Sequence, residues 1–334
     1  MNIILLSGGS GKRLWPLSSE TRSKQFLKLF RRPDGTKESM LQRMYRMIRE
    51  TDSEATVTIA TSENQVTKIR EQLGEQVNIS VEPDRRDTFP AIALAAAYLK
   101  TQNTKDEDPV IVCPVDPFVE ADYFECLQEA EKAAAGANLT LIGIEPSYPS
   151  EKYGYIIPET NARISLVSGF REKPDEGTAK EYIRRGALWN AGVFIFRLSY
   201  LLSIAEKELG TSDYHELYAK YTTLPKISFD YAVVEKEPSI QVIRFAGSWQ
   251  DLGTWNTLTE AMDEEATGNT TMSGCTNTHI INELDIPLIA LGMKDCVIAV
   301  TPDGILISDK AMSPELKNLI KEPQITEKKK GPTR

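Results

Sequence analysis

The feature that most restricts the fold of this 334-residue chain is the alternation, in its first half, of short apolar segments with helical patterns. Five segments rich in β-branched residues are typical of buried strands: NIILLS (2–7), TVTIA (56–60), VNISV (77–81), VIVC (110–113) and LTLIGI (139–144). Between them, apolar residues recur at helical spacing, as in SMLQRMYRMIRE (39–50) and TFPAIALAAAYLK (88–100). Strands that are apolar on both faces and are joined by helices predict a three-layer, mostly parallel α/β sheet.

The character of the sequence changes after about residue 262. MDEEATGNTTMSG (262–274) is polar and rich in turn-forming residues, and short apolar runs such as PLIALGM (287–293) and CVIAVT (296–301) follow it. We therefore predict an α/β domain over residues 1–262, a small all-β appendage over 263–312 and a polar tail over 313–334.

Charge and composition exclude several classes of function. The formal net charge of -9 argues against general binding to nucleic acid or acidic membranes. The four cysteines form no CxxC pair, which disfavours a zinc site or disulfide framework and predicts a reducing, cytoplasmic location. No apolar stretch of about 20 residues is present to span a membrane. The two histidines leave little material for histidine-based catalysis.

A glycine-rich, cationic segment, GGSGKRLWPL (8–17), directly follows the first predicted strand. Glycines at that place let the backbone approach a ligand closely, and exposed amides there can bind phosphate. The spacing fits neither GxxxxGK[ST] nor GxGxxG, so a P-loop and an NAD-dependent oxidoreductase are both disfavoured.

With a lysine following it, this segment resembles the signature of the sugar-1-phosphate nucleotidyltransferases. Its WPLS and KQF elements (15–18 and 24–26) are most similar to the mannose-1-phosphate guanylyltransferases. Six further segments resemble that family in the same order: VEPDRRDTFPAIALAA (81–96), VCPVDPFVE (112–120), KYGYI (152–156), GFREKPD (169–175), WNAGVFIF (189–196) and GSWQDLGTW (247–255). Residues 282–310 are similar to the β-structured tail of the bacterial members.

The resemblance implies a Rossmann-like nucleotidyltransferase sheet with a β-helix-like or β-roll-like appendage that can mediate a homodimer. It also implies a reaction in which GTP and α-D-mannose 1-phosphate give GDP-mannose and diphosphate. If the sugar phosphate attacks the α-phosphorus in line, catalysis rests on positioning and charge neutralisation, with Mg²⁺ as cofactor.

The resemblance also assigns roles to individual residues. Arg13, Lys24 and Lys173 would neutralise phosphate charge, and Asp116 and Asp251 would bind Mg²⁺. The expected nucleotide-binding residues are Leu6, Ser7, Gly8, Gly9, Gly11, Glu82, Arg86 and Thr88. The expected sugar-phosphate-binding residues are Gly154, Glu172, Lys173, Asn190 and Gly192, whereas Trp189 is expected to build core.

Four positions depart from the family pattern and leave the nucleotide and sugar preferences open. Asp87 and Phe89 stand where the family commonly has Asn and Ala, Pro117 where it often has His, and Ser23 where it often has Pro. The alternatives are the same chemistry with another nucleotide or sugar phosphate, and a regulatory subunit that binds nucleotide sugars without turnover. Many bacterial members continue into a cupin domain with phosphomannose isomerase activity, which we expect to be absent here.

Overall fold

The structure, a computed structural model, describes residues 1–9, 12–19 and 22–320. Gly11 and the larger part of the predicted tail, 321–334, lie outside the described residues. The strands are β1 (Asn2–Leu6), β2 (Lys28–Arg31), β3 (Lys37–Ser39), β4 (Thr56–Ser62), β5 (Asn78–Glu82), β6 (Pro109–Pro114), β7 (Pro117–Val119), β8 (Leu139–Ile144), β9 (Tyr155–Pro158), β10 (Ile164–Arg171), β11 (Leu188–Arg197), β12 (Ile240–Phe245), β13 (Trp249–Asp251), β14 (Ala266–Thr267), β15 (Thr270–Ser273), β16 (His279–Asn282), β17 (Leu288–Leu291), β18 (Cys296–Thr301) and β19 (Gly304–Asp309).

The α-helices are α1 (Met40–Thr51), α2 (Val66–Leu73), α3 (Thr88–Thr101), α4 (Ala121–Ala133), α5 (Glu176–Arg184), α6 (Leu198–Leu209), α7 (Tyr214–Lys220), α8 (Phe229–Ala232), α9 (Trp255–Glu260) and α10 (Leu316–Leu319). Short 3-10 turns include Lys12–Leu14, Lys24–Phe26 and Tyr221–Thr223. Among the residues that the structure describes, no helix is long and apolar enough to cross a membrane.

The chain divides into two compact units, and each is discontinuous in sequence. The first unit is Met1–Gly8 with Met40–Gln250, and the second is Gly9–Ser39 with Asp251–Arg334. The glycine-rich segment thus belongs, from Gly9 onward, with the carboxyl-terminal part of the chain. The domain boundary at 262/263 stays a prediction, since the compact units divide the chain at other positions.

The first unit is built on a nine-stranded sheet with the order β5-β4-β1-β6-β11-β8-β12-β10-β9. The neighbours β5–β4, β4–β1, β1–β6 and β8–β12 are parallel. β11 runs antiparallel to both β6 and β8, and β10 runs antiparallel to β12 and β9. The predicted α/β class is confirmed. The expected parallel pairing holds among β1, β4, β5 and β6, whereas β9, β10 and β11 pair antiparallel with their neighbours, so the whole sheet is mixed.

Helices cover this sheet because their apolar residues recur at the helical period. In α1, for example, Met40, Met44, Met47 and Ile48 are buried on one face. α3 is buried on nearly all sides, and Asp87 caps its first turn by accepting the backbone N–H of Thr88.

The appendage in the second unit forms coils of parallel β-structure. The strands β14, β16 and β18 pair in parallel, as do β15 and β17. Between β15 and β17, and between β16 and β18, paired residues are 18 positions apart, as in Thr270 and Leu288 and in Ile280 and Ile298. Between β14 and β16 the spacing is 14, as in Ala266 and Ile280. Apolar side chains from several strands, among them Ile280 and Ile298, fill the inside of these coils. This arrangement is the expected β-helix-like appendage.

Candidate active site

The predicted nucleotide-binding residues of the first unit gather where parallel strands end. β1, β4, β5 and β6 run in the same direction, so their carboxyl ends lie at one edge of the sheet. Leu6 pairs with Pro114 at that edge, and Glu82 pairs with Ser62. Ligands of open α/β sheets bind at this edge, so it is the expected location of a binding site.

Gly8 and Glu82 lie next to each other there. Glu82 is buried, with 8% of its surface exposed. Its Oε1 atom is 3.8 Å from the position that a Cβ on Gly8 would occupy. Burial raises the pKa of Glu82, and a hydrogen bond from Tyr221 partly opposes that increase. Tyr221, which the sequence analysis did not single out, is therefore part of this site.

Ser7 is fully buried between β1 and β4. Its backbone N–H donates to the carbonyl of Ala60 at 2.9 Å, and its carbonyl accepts from the Thr61 hydroxyl at 3.1 Å. Both backbone polar groups of Ser7 thus already bond to the protein, and its expected role in nucleotide binding stays a prediction.

Arg86 and Thr88 fix a distant segment of the chain. The Arg86 guanidinium donates to the carbonyl oxygens of Thr222 and Leu224. The hydroxyl of Thr88 accepts the backbone N–H of Phe229 at 2.8 Å. These contacts give both residues a positioning role, and their expected contact with a nucleotide stays a prediction.

The departure at Asp87 lies in a strained turn at the start of α3. With a φ of 66° and a ψ of -174°, its backbone occupies a region that only glycine adopts readily. Its Oδ1 accepts the backbone N–H of Thr88 at 2.8 Å. An Asn at this position could do the same, so the change conserves the turn and the helix cap.

Four of the five predicted sugar-phosphate residues meet within the first unit. The backbone N–H of Asn190 donates to the carbonyl of Gly154 at 2.8 Å, and the N–H of Gly192 donates to Asn190 Oδ1 at 3.1 Å. A Cβ on Gly154 would lie 2.6 Å from Glu172 Oε2 and 2.7 Å from Phe170 Cζ, so any other residue here would displace these side chains. Gly192 itself has a φ of 72°, at a register shift of β11.

Lys173, the fifth, lies beside Glu172 and adopts an unusual backbone conformation. Its Nζ donates to Glu172 Oε1 at 2.5 Å. Burial tends to lower the pKa of Lys173, but the hydrogen bond and charge of Glu172 outweigh it, so the net change is upward. Its φ of 45° is uncommon for a residue with a side chain, and such strain is concentrated at functional sites.

Asp230 completes this group and was missed from the sequence. Its Oδ1 accepts from Asn190 Nδ2 at 2.8 Å. Burial, followed by the negative charge of Glu172, raises the pKa of Asp230 to about 7. A partly buried carboxylate beside another carboxylate suits a site that receives both hydroxyl groups and cations. Asp230 lies in FDYA (229–232), where no local pattern marks it as functional.

The second unit brings together three other predicted residues around the turn that follows β13. The Nζ of Lys24 donates to the carbonyl of Leu252 at 3.4 Å. A Cβ on Gly253 would lie 3.1 Å from Asp251 Oδ1 and 3.5 Å from Arg13 Nη1. Two cations and a carboxylate thus border one glycine turn, an arrangement suited to phosphate and a divalent cation.

The remaining predicted residues fall in different places. Asp116 is half-buried two positions after the end of β6, in the first unit, whereas Asp251 belongs to the second unit. Gly9 is exposed, and Gly11 is outside the described residues. Within the described ranges, no three His, Cys, Asp or Glu side chains form a group that could hold a metal ion. The carboxylate oxygens of Asp116 and Asp251 are nevertheless the donor type that Mg²⁺ prefers.

Known proteins share sequence and fold with this chain. The family described as nucleotidyl transferase matches residues 2–268. The xanthan biosynthesis protein XanB of Xanthomonas campestris pv. campestris (strain B100) is 32% identical over 96% of this chain and 72% of its own length. The mannose-1-phosphate guanylyltransferase RfbM of Salmonella typhimurium (strain LT2) is 31% identical over 95% of this chain and 71% of its own length.

Among solved structures, a protein described as the mannose-1-phosphate geranyltransferase of Thermus thermophilus aligns with a TM-score of 0.80. It is 27% identical, and the alignment covers 96% of this chain and 97% of that one. The family match covers nearly all of the first unit and extends in the second unit to β14. This chain is therefore an enzyme of the nucleotidyl transferase family.

Proposed function

We propose that the chain is a mannose-1-phosphate guanylyltransferase, which converts GTP and α-D-mannose 1-phosphate to GDP-mannose and diphosphate. The observation that carries the proposal is the clustering of Gly154, Glu172, Lys173 and Asn190 through direct contacts. That cluster occurs in a chain about 30% identical, over nearly its whole length, to relatives that bear this name. The product would supply activated mannose for polysaccharide or glycoconjugate synthesis.

The sugar half of the site would hold the nucleophile. The Lys173 ammonium attracts the sugar phosphate, while the carboxylates of Glu172 and Asp230 accept hydrogen bonds from sugar hydroxyls. The hydrogen bond from Asn190 to Asp230 orients the Asp230 carboxylate before substrate binds. Such pre-organisation places the phosphate oxygen for in-line attack without a covalent enzyme intermediate.

The phosphate chemistry would depend on cations. The planar guanidinium of Arg13 suits two phosphate oxygens at once, and the Lys24 ammonium adds a second positive charge. Asp116 and Asp251 would bind Mg²⁺ through their carboxylate oxygens. When bound, this ion would neutralise negative charge on the triphosphate. Leu6, Gly8 and Gly9 would lie along the nucleotide, with Glu82 at its base.

The test is diphosphate release with mannose 1-phosphate and Mg²⁺, measured in parallel with GTP, ATP, UTP and dTTP. We expect rapid release with GTP and a far slower reaction when glucose 1-phosphate replaces mannose 1-phosphate. Lys173→Met should raise the KM for the sugar phosphate strongly, while Lys180→Met, on the exposed face of α5, should match the wild type. Folded protein that releases diphosphate with none of the four nucleotides would refute the proposal.

We also propose that the chain forms a homodimer through its β-helix-like appendage. Ile289 and Leu291 on β17 and Ile305 and Ile307 on β19 are each more than half exposed, which is unusual for residues of this type in a strand. Sedimentation velocity should show a dimer, and Ile305→Lys combined with Ile307→Lys should shift it to a monomer. A wild-type monomer at micromolar concentration would contradict this assignment.

A further inference from the structure

Tyr221, the first residue of the 3-10 turn after α7, makes a contact that the roles above do not use. Its side chain is fully buried, and its hydroxyl donates to Glu82 Oε2 at 2.7 Å. The two residues are 139 positions apart in the chain. Burial, together with the charge of Glu82, raises the pKa of Tyr221, so the phenol stays a proton donor throughout the working range of pH.

The orientation of Glu82 follows from this hydrogen bond. With Oε2 directed to Tyr221, Oε1 lies on the side of Gly8, 3.8 Å from the position of a Cβ on that glycine. Gly8 has no side chain to fill the space beside Oε1. A carboxylate oxygen is therefore presented at the end of β1, where the nucleotide is proposed to bind.

The turn that carries Tyr221 is itself held in place by hydrogen bonds to Arg86. Arg86 donates to the carbonyls of Thr222 and Leu224, and the backbone N–H of Ile227 donates to the carbonyl of Arg86. Hydrogen bonds to Arg86 therefore hold the segment that carries the Tyr221 phenol, both before and after Leu224. A positioning group needs this kind of support to act on another side chain.

The chemistry of a presented carboxylate distinguishes the bases. Guanine offers two adjacent donors, N1–H and the exocyclic amine, whereas adenine offers an acceptor at N1, which a carboxylate repels. Hypoxanthine keeps N1–H but lacks the amine. A site built to bond a donor discriminates strongly against an analogue without it, because a buried polar group is then left unpaired.

We infer that Tyr221 is a positioning residue for base selection: it holds the Glu82 carboxylate so that the carboxylate accepts the donor edge of guanine. This inference rests on the proposed function for the identity of the nucleotide. It assigns guanine preference to the Glu82–Tyr221 pair and leaves Asp87, whose carboxylate caps α3, outside base recognition.

The test measures the dissociation constants of GTP, ITP and ATP in the presence of Mg²⁺, without the sugar phosphate. The wild type should bind GTP most tightly. Tyr221→Phe should reduce the preference for GTP over ITP about tenfold, since a loosened carboxylate no longer meets both donors. The matched control, Tyr218→Phe on the exposed side of α7, should keep the wild-type ratio.

A second variant distinguishes a positioning role of Tyr221 from a purely structural contribution to protein stability. Glu82→Gln should also lower the GTP-to-ITP preference, and adding Tyr221→Phe to it should change that ratio no further, because Tyr221 acts through Glu82. Parallel weakening of all three nucleotides in Tyr221→Phe, with unchanged ratios, would overturn the inference. A wild type that binds ATP more tightly than GTP would overturn both the inference and the guanine assignment. Guanine-selective binding without turnover of mannose 1-phosphate would sink the proposed function alone.

Discussion

Replacing Asp230 by Asn should make the protein more stable at neutral pH and less active. In the folded protein the pKa of Asp230 is raised to about 7, chiefly by burial and then by Glu172, from an ordinary value of 3.8. Between these two values the folded state binds more protons at this site than the unfolded state. The contribution of Asp230 to the free energy of unfolding of the wild type therefore falls as pH rises from about 4 to about 7. Above about pH 7 this contribution is constant.

The size of the effect can be bounded from the structure. A tenfold change in proton affinity corresponds to about 1.4 kcal/mol, so the full increase in the Asp230 pKa sets a ceiling of about 4 kcal/mol. The Asp230 side chain keeps some exposure to solvent, and solvent screening reduces the contribution below this ceiling. We therefore expect about 1–3 kcal/mol at pH 8 and almost nothing at pH 4. Asn at position 230 is nearly isosteric and can still accept from Asn190 Nδ2.

Urea denaturation of the wild type and Asp230→Asn at pH 4, 6 and 8 would measure this difference. Steady-state kinetics at pH 8 should show kcat/KM for mannose 1-phosphate lowered about 10- to 100-fold, because an anionic hydrogen-bond acceptor is lost. Asp285→Asn, at an exposed position of the second unit, is the matched control and should change neither quantity. A variant that is less stable than the wild type at pH 8, or a stability difference that does not grow with pH, would refute the reasoning.

Three further substitutions test single contacts. Arg13→Lys should lower kcat about 10²- to 10³-fold, because an ammonium cannot bond two phosphate oxygens as a guanidinium does; an unchanged kcat would remove Arg13 from the mechanism. Gly154→Ala places a Cβ 2.6 Å from Glu172 Oε2 and should raise the KM for the sugar phosphate at least tenfold. The affinity for GTP should not change, and titration with each substrate would measure both effects. Asp87→Asn should keep both the helix cap and the ratio of GTP to ATP affinity, and a shift in that ratio would return Asp87 to base recognition.

The fold of the first half could be predicted from the sequence because its strands are apolar on both faces and its helices carry a clear period. The direction of the later strands could not be predicted. β11 and β10 are as apolar or as alternating as parallel strands would be, and their direction depends on how long connections return to the sheet. The 18-residue coil of the appendage could not be predicted either, because its repeat covers few turns and its strands are short.

The grouping of candidate residues was predictable where a residue type and its local pattern carry the proposed chemistry. Gly154, Glu172 and Lys173 lie in short motifs, and the structure brings them together. Tyr221 and Asp230 were missed because each acts on a residue far along the chain. A buried tyrosine and a helix-turn aspartate have ordinary structural roles, and no sequence pattern connects them to Glu82 or Asn190.

These two missed residues belong to one ten-residue segment, 221–230, which under the proposed function would connect base and sugar recognition in the first unit. At one end Tyr221 bonds to Glu82, and at the other Asp230 bonds to Asn190. Between them, the backbone N–H of Phe229 is held by Thr88, at the start of α3. A displacement of this segment would change the presentation of the base acceptor and of the sugar acceptor together. Selectivity for the two substrates should therefore be coupled: substitutions that loosen the middle of the segment would relax both preferences, whereas substitutions at either end would relax one.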